Sequence, residues 1–225
     1  MTASTSTRLT LAEELILVAL NDETGRLHDM ATGVMSLDLA VAGSLLMELA
    51  LDSRIDTDTT ALFALSAEPT GIPILDETLA EIHAAPERLN TDRWLQHLSA
   101  RGPEFRERLI AMLTERGILH EVEKRLLWVF KVRTYPPTTG EEEREVKSRI
   151  MALVYGDDIP EARDALLVGL LNASGLFRSL LSGPELTERQ ARIDQISNLE
   201  EISRTLGRSI REFQIAIASA MAFGH

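Results

Sequence analysis

The chain has 225 residues, 44% of them hydrophobic and 26% charged, with a formal net charge of −12 and no cysteine. This length and composition suit an ordinary globular protein with one sizeable core, and the missing cysteines exclude disulfides, thiolate nucleophiles and Cys-ligated metals. The acidic balance argues against nucleic acid as a partner and against broad adsorption to an anionic membrane, so any anion contact has to be local.

Residues 1–9 are Ser/Thr-rich and carry one basic residue, Arg8, with no apolar core. They read as a flexible N-terminus and not a signal peptide, ahead of a single domain over 10–225. No apolar run approaches the roughly 18 residues of a membrane span, so a cytoplasmic location is expected. Thr10-Leu11-Ala12-Glu13 is a capping-box pattern; it opens a helix, EELILVAL, that is apolar on most of its surface and therefore buried. A turn follows at 21–25, and residues 26–34 show no clear period. Residues 36–51 have helical spacing with apolar residues almost all round, which predicts a central helix. Glu48 lies inside that apolar stripe. A buried carboxylate needs a cationic or N–H partner, and nearby Arg54 is the expected one.

Residues 54–56 and 61–65 read as two short strands joined by a polar turn. Helices are predicted at about 73–84, at 91–100 with Thr91-Asp92 as cap, and at 103–116 with Pro103 at its start and Gly117 as its stop. A hairpin follows over 118–135. Further helices are predicted at about 141–155, 160–174, 184–197 and 201–222. Helix, stop, strand, turn, strand occurs twice, so the fold class is mainly α, one compact domain with one or two small hairpins.

Residues 101–135 stand apart from this acidic background, with eight Lys and Arg against five Glu. In helix 103–116, Phe105, Leu109, Met112 and Leu113 form the buried stripe. Arg106 and Arg108 lie on its margins, where long stems can follow the core edge with heads in solvent, and Arg108 can pair with Glu104. In the hairpin, Leu126, Leu127, Trp128, Val129 and Phe130 form an apolar run bracketed by Lys124, Arg125, Lys131 and Arg133. Both faces of such a strand are apolar, so one of them meets something outside the domain or both are buried. Trp flanked by cations suits a membrane interface, and a protein–protein contact accounts for it equally well. A winged-helix DNA reader has the same outline, but the net charge speaks against it.

Nothing in the sequence points to catalysis or to a cofactor. His28, His83, His97, His120 and His225 are scattered, and neither HExxH, GxSxG, GxGxxG nor GxxxxGK[ST] occurs. Acidic clusters such as Glu141-Glu142-Glu143 sit at helix starts, where the macrodipole favours carboxylates.

Five strings, in order and in register over roughly residues 9–223, are similar to the Golgi phosphoprotein 3 family: TLAEELILVALNDETGR (10–26), LLMELALDSRI (45–55), EPTGIPILDETL (68–79), FRERLIAMLTERGIL (105–119) and the hairpin ending Arg133-Thr134-Tyr135-Pro136. The short N-terminus and the acidic, Arg-rich helices resemble its bacterial members. The resemblance implies a central helical bundle ringed by amphipathic helices, with a projecting β-hairpin. It also implies a non-enzymatic peripheral membrane adaptor that contacts an anionic phospholipid, phosphatidylinositol 4-phosphate in eukaryotic members, at the cytoplasmic face of a membrane. Of the family's four lipid ligands, one matches Arg106. The others fall on Pro103, on Ala42 and near Gly33, so the resemblance carries the fold and not the lipid specificity. The expected contact surface is Arg106 with Lys124, Arg125, Lys131 and Arg133 for phosphates, and residues 126–130 for the membrane or for a homo-oligomer. The alternative is a soluble oligomeric interaction module that uses the hairpin without lipid.

Overall fold

A computed structural model describes residues 8–21, 24–27, 34–58, 60–126, 130–197, 215–217, 219 and 220, and of residues 34–36, 124–126 and 130–132 the backbone alone. Helix α1 spans Leu11–Ala19. Its capping box forms as the sequence predicts: the Glu13 amide donates to Thr10 Oγ1 at 3.2 Å, and the Thr10 amide donates to Glu13 Oε2 at 2.8 Å. Every residue of α1 is buried, so one amphipathic face is not enough to describe it. Helix α2, Val34–Leu51, is the axis of the molecule. It packs against α1 and against α3 (Pro73–Ala84), α4 (Thr91–Ser99), α5 (Gly102–Glu115) and α7 (Ala162–Ser174). Contact on all sides explains why its apolar residues run all round the helix.

Helices α1, α2 and α7 form the central bundle, and α3, α4, α5, α6 (Glu141–Tyr155) and α9 (Gly183–Ser197) surround it. A short α8, Phe177–Leu180, turns the chain between α7 and α9 and buries Phe177. The sequence reading did not foresee it. Helix α4 is capped by Asn90, whose side chain accepts from the Arg93 amide at 3.0 Å, and not by the Thr91-Asp92 pair. The expected helix over 201–222 lies outside the described residues except for helical turns at 215–217 and 219–220. There Ala216 and Ile217 are buried against the core.

The doubled helix-and-hairpin pattern is present. Strands β1 (Ile55–Thr57) and β2 (Leu62–Ala64) pair antiparallel beside α2 and α3. In the turn between them, Asp58 accepts from the Thr60 hydroxyl and amide and the Ala61 amide, which lower its pKa to about 2. Strands β3 (Val122–Leu126) and β4 (Phe130–Thr134) form the second pair after α5, whose cap residue Arg116 is followed by the stop Gly117 with φ +74°. This second hairpin stands off the bundle. Among the described residues no helix packs extensively against β3 or β4. Its root is fixed through the main chain: the His120 amide donates to Pro136 O at 3.1 Å, the Thr138 amide to Ile118 O at 2.8 Å and the Tyr135 amide to Gly25 O at 2.7 Å.

Two carboxylates interrupt the apolar sequence of α2, Asp38 and Glu48. Glu48 does not pair with Arg54, which turns to Glu68 at 3.3 Å. It accepts from Arg163 Nη1 at 2.6 Å and Nη2 at 3.0 Å, and from the Leu11 amide at 2.6 Å, while Arg163 Nη2 also donates to Leu9 O at 2.7 Å. One buried pair thereby ties α2, α7 and the start of α1. The carboxylate sits at the N-terminus of α1, where the macrodipole favours it.

Candidate functional site

Helix α5 and hairpin β3–β4 hold the basic residues that the sequence singles out, and the structure separates them into two groups. The cations of α5 and its ends are answered within the chain. Arg101 donates to Glu104 at 2.8 Å and Glu81 at 3.1 Å, and it lies over the Phe105 ring at 4.8 Å. Arg108 makes a fork on Glu77 at 2.5 and 2.7 Å, with Glu104 farther off at 3.6 Å. Its expected i−4 partner is therefore secondary to one from α3. Hydrogen bonds to these carboxylates raise the pKa of both guanidinium groups. Arg116 donates to Glu13 at 2.7 Å.

Arg106 is placed differently from its expected position at the margin. Its head turns inward and forms an ion pair with Asp38 of α2, with side-chain exposures of 13% and 11%. Burial pulls the Arg106 guanidinium below its ordinary pKa. Gly102 makes room for the pair, because a Cβ there would lie 2.2 Å from Asp38 Cγ. Sequence inspection missed Asp38. The signal was available, since it is one of two charges in an otherwise uncharged helix.

The hairpin carries the second group. In an antiparallel ladder, directly opposed residues share a face and neighbours along a strand alternate. The pairs Glu123↔Arg133 and Arg125↔Lys131 therefore occupy one face. Val122↔Thr134, Lys124↔Val132 and Leu126↔Phe130 occupy the other. Arg133 is exposed and pairs with Glu121 at 3.2 Å, Glu123 is exposed, and Thr134 is buried. At the root, then, the face of the Glu123↔Arg133 pair is the outward one, and the register assigns Arg125↔Lys131 to that same face. Lys124 falls on the apolar face, apart from the other three cations. Leu127, Trp128 and Val129 lie outside the described residues.

A separate cleft of about 470 Å³ opens between the start of α1, α6 and α7. Arg149 crosses its floor, donating to Glu14 at 2.6 Å and Glu145 at 3.1 Å and pairing with Asp164. Burial pushes the Glu14 carboxyl up, against the pull of Arg149 and Arg163. Arg149 thereby ties three helices together, while Glu14 Oε2 is buried without a hydrogen bond, 3.9 Å from Arg163 Nε. Among the described residues no cluster of His, Asp and Glu is arranged to hold a metal ion, and no helix is long and apolar enough to cross a membrane.

A family model described as Golgi phosphoprotein 3 (GPP34) matches residues 11–213, a span that contains every helix and strand from α1 to α9. The chain belongs to the Golgi phosphoprotein 3 family. Among curated proteins, vacuolar protein sorting-associated protein 74 of Schizosaccharomyces pombe is 27% identical over 165 residues, 65% of this chain and 48% of that protein. The chain therefore spans about half the length of this relative. For a Golgi phosphoprotein 3 family member, the mainly helical fold with a projecting hairpin is the architecture that the sequence resemblance implies.

Proposed function

We propose that this protein is a non-enzymatic adaptor that docks on an anionic membrane surface through hairpin β3–β4. The observation that carries this reading is the ladder register, which collects Arg125, Lys131 and Arg133 on one face of an element standing off an acidic bundle. The cations of α5 have carboxylate partners, and on the hairpin Arg133 pairs with Glu121 and stands opposite Glu123, so Arg125 and Lys131 supply most of the attraction. Each Lys or Arg near an anionic surface is worth about 1 kcal/mol, so Arg125 and Lys131 together give roughly a thirtyfold gain in binding that fades within a Debye length as salt rises. Trp128, with Leu127 and Val129, would enter the interfacial layer at the tip. Phosphatidylinositol 4-phosphate is one candidate lipid by family resemblance.

Flotation with phosphatidylcholine vesicles, with and without phosphatidylserine, tests the reading. The wild-type protein should float with the anionic vesicles at low salt, and the triple variant Arg125→Glu, Lys131→Glu, Arg133→Glu should stay in the soluble fraction. Failure of every anionic vesicle to retain the wild-type protein would end the membrane reading.

The other face of the same ladder supports a second reading, self-association. Leu126, Phe130 and Val132 share it, and apolar faces of this kind suit a contact between copies. Trp128→Asp should then lower the oligomer mass in light scattering without sensitivity to salt. A monomeric wild-type protein would remove this reading.

A further inference from the structure

We infer that the cleft between the start of α1, α6 and α7 binds a small aliphatic polyamine, with one ammonium group at its floor and another at its rim. Of the residues described along this cleft, none belongs to α5 or to hairpin β3–β4. The site therefore stands whether or not the hairpin docks on a membrane.

The first observation is a charge imbalance. Five carboxylates line the cleft, those of Glu14, Glu142, Glu145, Glu161 and Asp164, against the two guanidinium groups of Arg8 and Arg149. Arg149 is divided among Glu14, Glu145 and Asp164, so it does not neutralise the set. The second observation is Glu14 itself. Its side chain is 6% exposed and takes Arg149 on Oε1, while Oε2 is buried and accepts no hydrogen bond. Arg163, 3.9 Å away at Nε, already gives its terminal nitrogens to Glu48 and to Leu9 O. A buried carboxylate oxygen left in this way calls for a further N–H donor. The third observation is that the charges lie at two levels beside apolar side chains. Glu14 and Asp164 are buried and Glu145 and Glu161 are exposed. Leu153, Ile159 and Pro160 line the same cleft, and Ile159 is 81% exposed. A polyamine answers all three: one ammonium group donates to Glu14, another meets the outer carboxylates, and the methylenes between them cover the apolar side chains. A metal ion does not, because among the described residues no three acidic or His side chains converge on one point. The volume of about 470 Å³ is that of a small-molecule site.

Titration calorimetry of the full chain with spermidine, putrescine, methylammonium and magnesium chloride at matched ionic strength tests the assignment. The wild-type protein should take up one spermidine per chain, at least tenfold more tightly than methylammonium or magnesium, with putrescine between them. Glu14→Gln, which keeps the side-chain shape, should weaken spermidine binding about tenfold, the scale of one charge-assisted hydrogen bond. Glu145→Gln combined with Glu161→Gln changes exposed positions only and keeps the test open should Glu14→Gln not fold. This pair should weaken binding about fivefold, while Glu188→Gln on α9, outside the cleft, should leave it unchanged. A wild-type protein that takes up no spermidine overturns the inference. So does uptake of several spermidine molecules per chain that magnesium matches, which is attraction to the acidic surface as a whole. Binding that Glu188→Gln weakens as much as the Glu145 and Glu161 changes do, or that a folded Glu14→Gln variant leaves unaltered, overturns it equally.

Discussion

Glu48→Ala will lower the free energy of unfolding by about 3–5 kcal/mol, the scale for removing one partner of a buried ion pair. The variant leaves the Arg163 guanidinium buried with Leu9 O as its remaining hydrogen-bond acceptor of those described above, and it removes the acceptor of the Leu11 amide. Arg163→Ala should fall in the same range. Replacing both residues, Glu48→Leu with Arg163→Met, should cost much less than the sum of the single changes, because no charge is then left without a partner. Urea denaturation measures all four proteins, with a common slope showing that the variants unfold as the wild type does. A loss below about 1 kcal/mol for Glu48→Ala, as at an ordinary surface position, would mean that the pair does not hold α1, α2 and α7 together.

Gly25→Ala should be the most damaging change at the hairpin root. Gly25 has φ +61°, a region that costs a residue with a Cβ about 1–2 kcal/mol. An added Cβ would also lie 2.4 Å from the Pro136 nitrogen and 2.7 Å from the Tyr135 carbonyl carbon, both main-chain atoms with little room to move. The loop must then withdraw, and the Tyr135 amide loses its bond to Gly25 O. A total loss of about 2–4 kcal/mol is expected from strain and separation together. Hydrogen exchange at Tyr135 should accelerate more than exchange within α2. Unchanged protection there would show that the root holds without this contact.

Much of this architecture is legible in the sequence, for identifiable reasons. The Thr10–Glu13 box, the Gly117 stop and the doubled pattern of helix and hairpin are local signals, and each forms as read. Family register added the arrangement of the helices, which no local pattern contains. What the sequence hides is partnership over distance. A helical wheel puts Glu48 in a buried stripe but cannot say which cation arrives there. Arg54 was the expected neighbour, and the actual partner lies 115 residues away on α7. Arg106 was hidden for the same reason, since its inward turn depends on Asp38 from another helix and on the absence of a side chain at Gly102. The cations bracketing residues 126–130 were visible, but that run reads as one strand, whereas Leu126 ends β3 and Phe130 begins β4, and the division of the cations between two faces required this pairing register.

The mounting of the second hairpin has an evolutionary consequence. Main-chain hydrogen bonds at its base hold it, and apart from Gly25, where a Cβ would meet main-chain atoms, such bonds are indifferent to side-chain identity. Substitutions farther along β3 and β4 therefore disturb little of the core and are expected to change stability by no more than about 0.5 kcal/mol. A lineage can rewrite what this element touches, one residue at a time, while the bundle beneath it keeps its sequence.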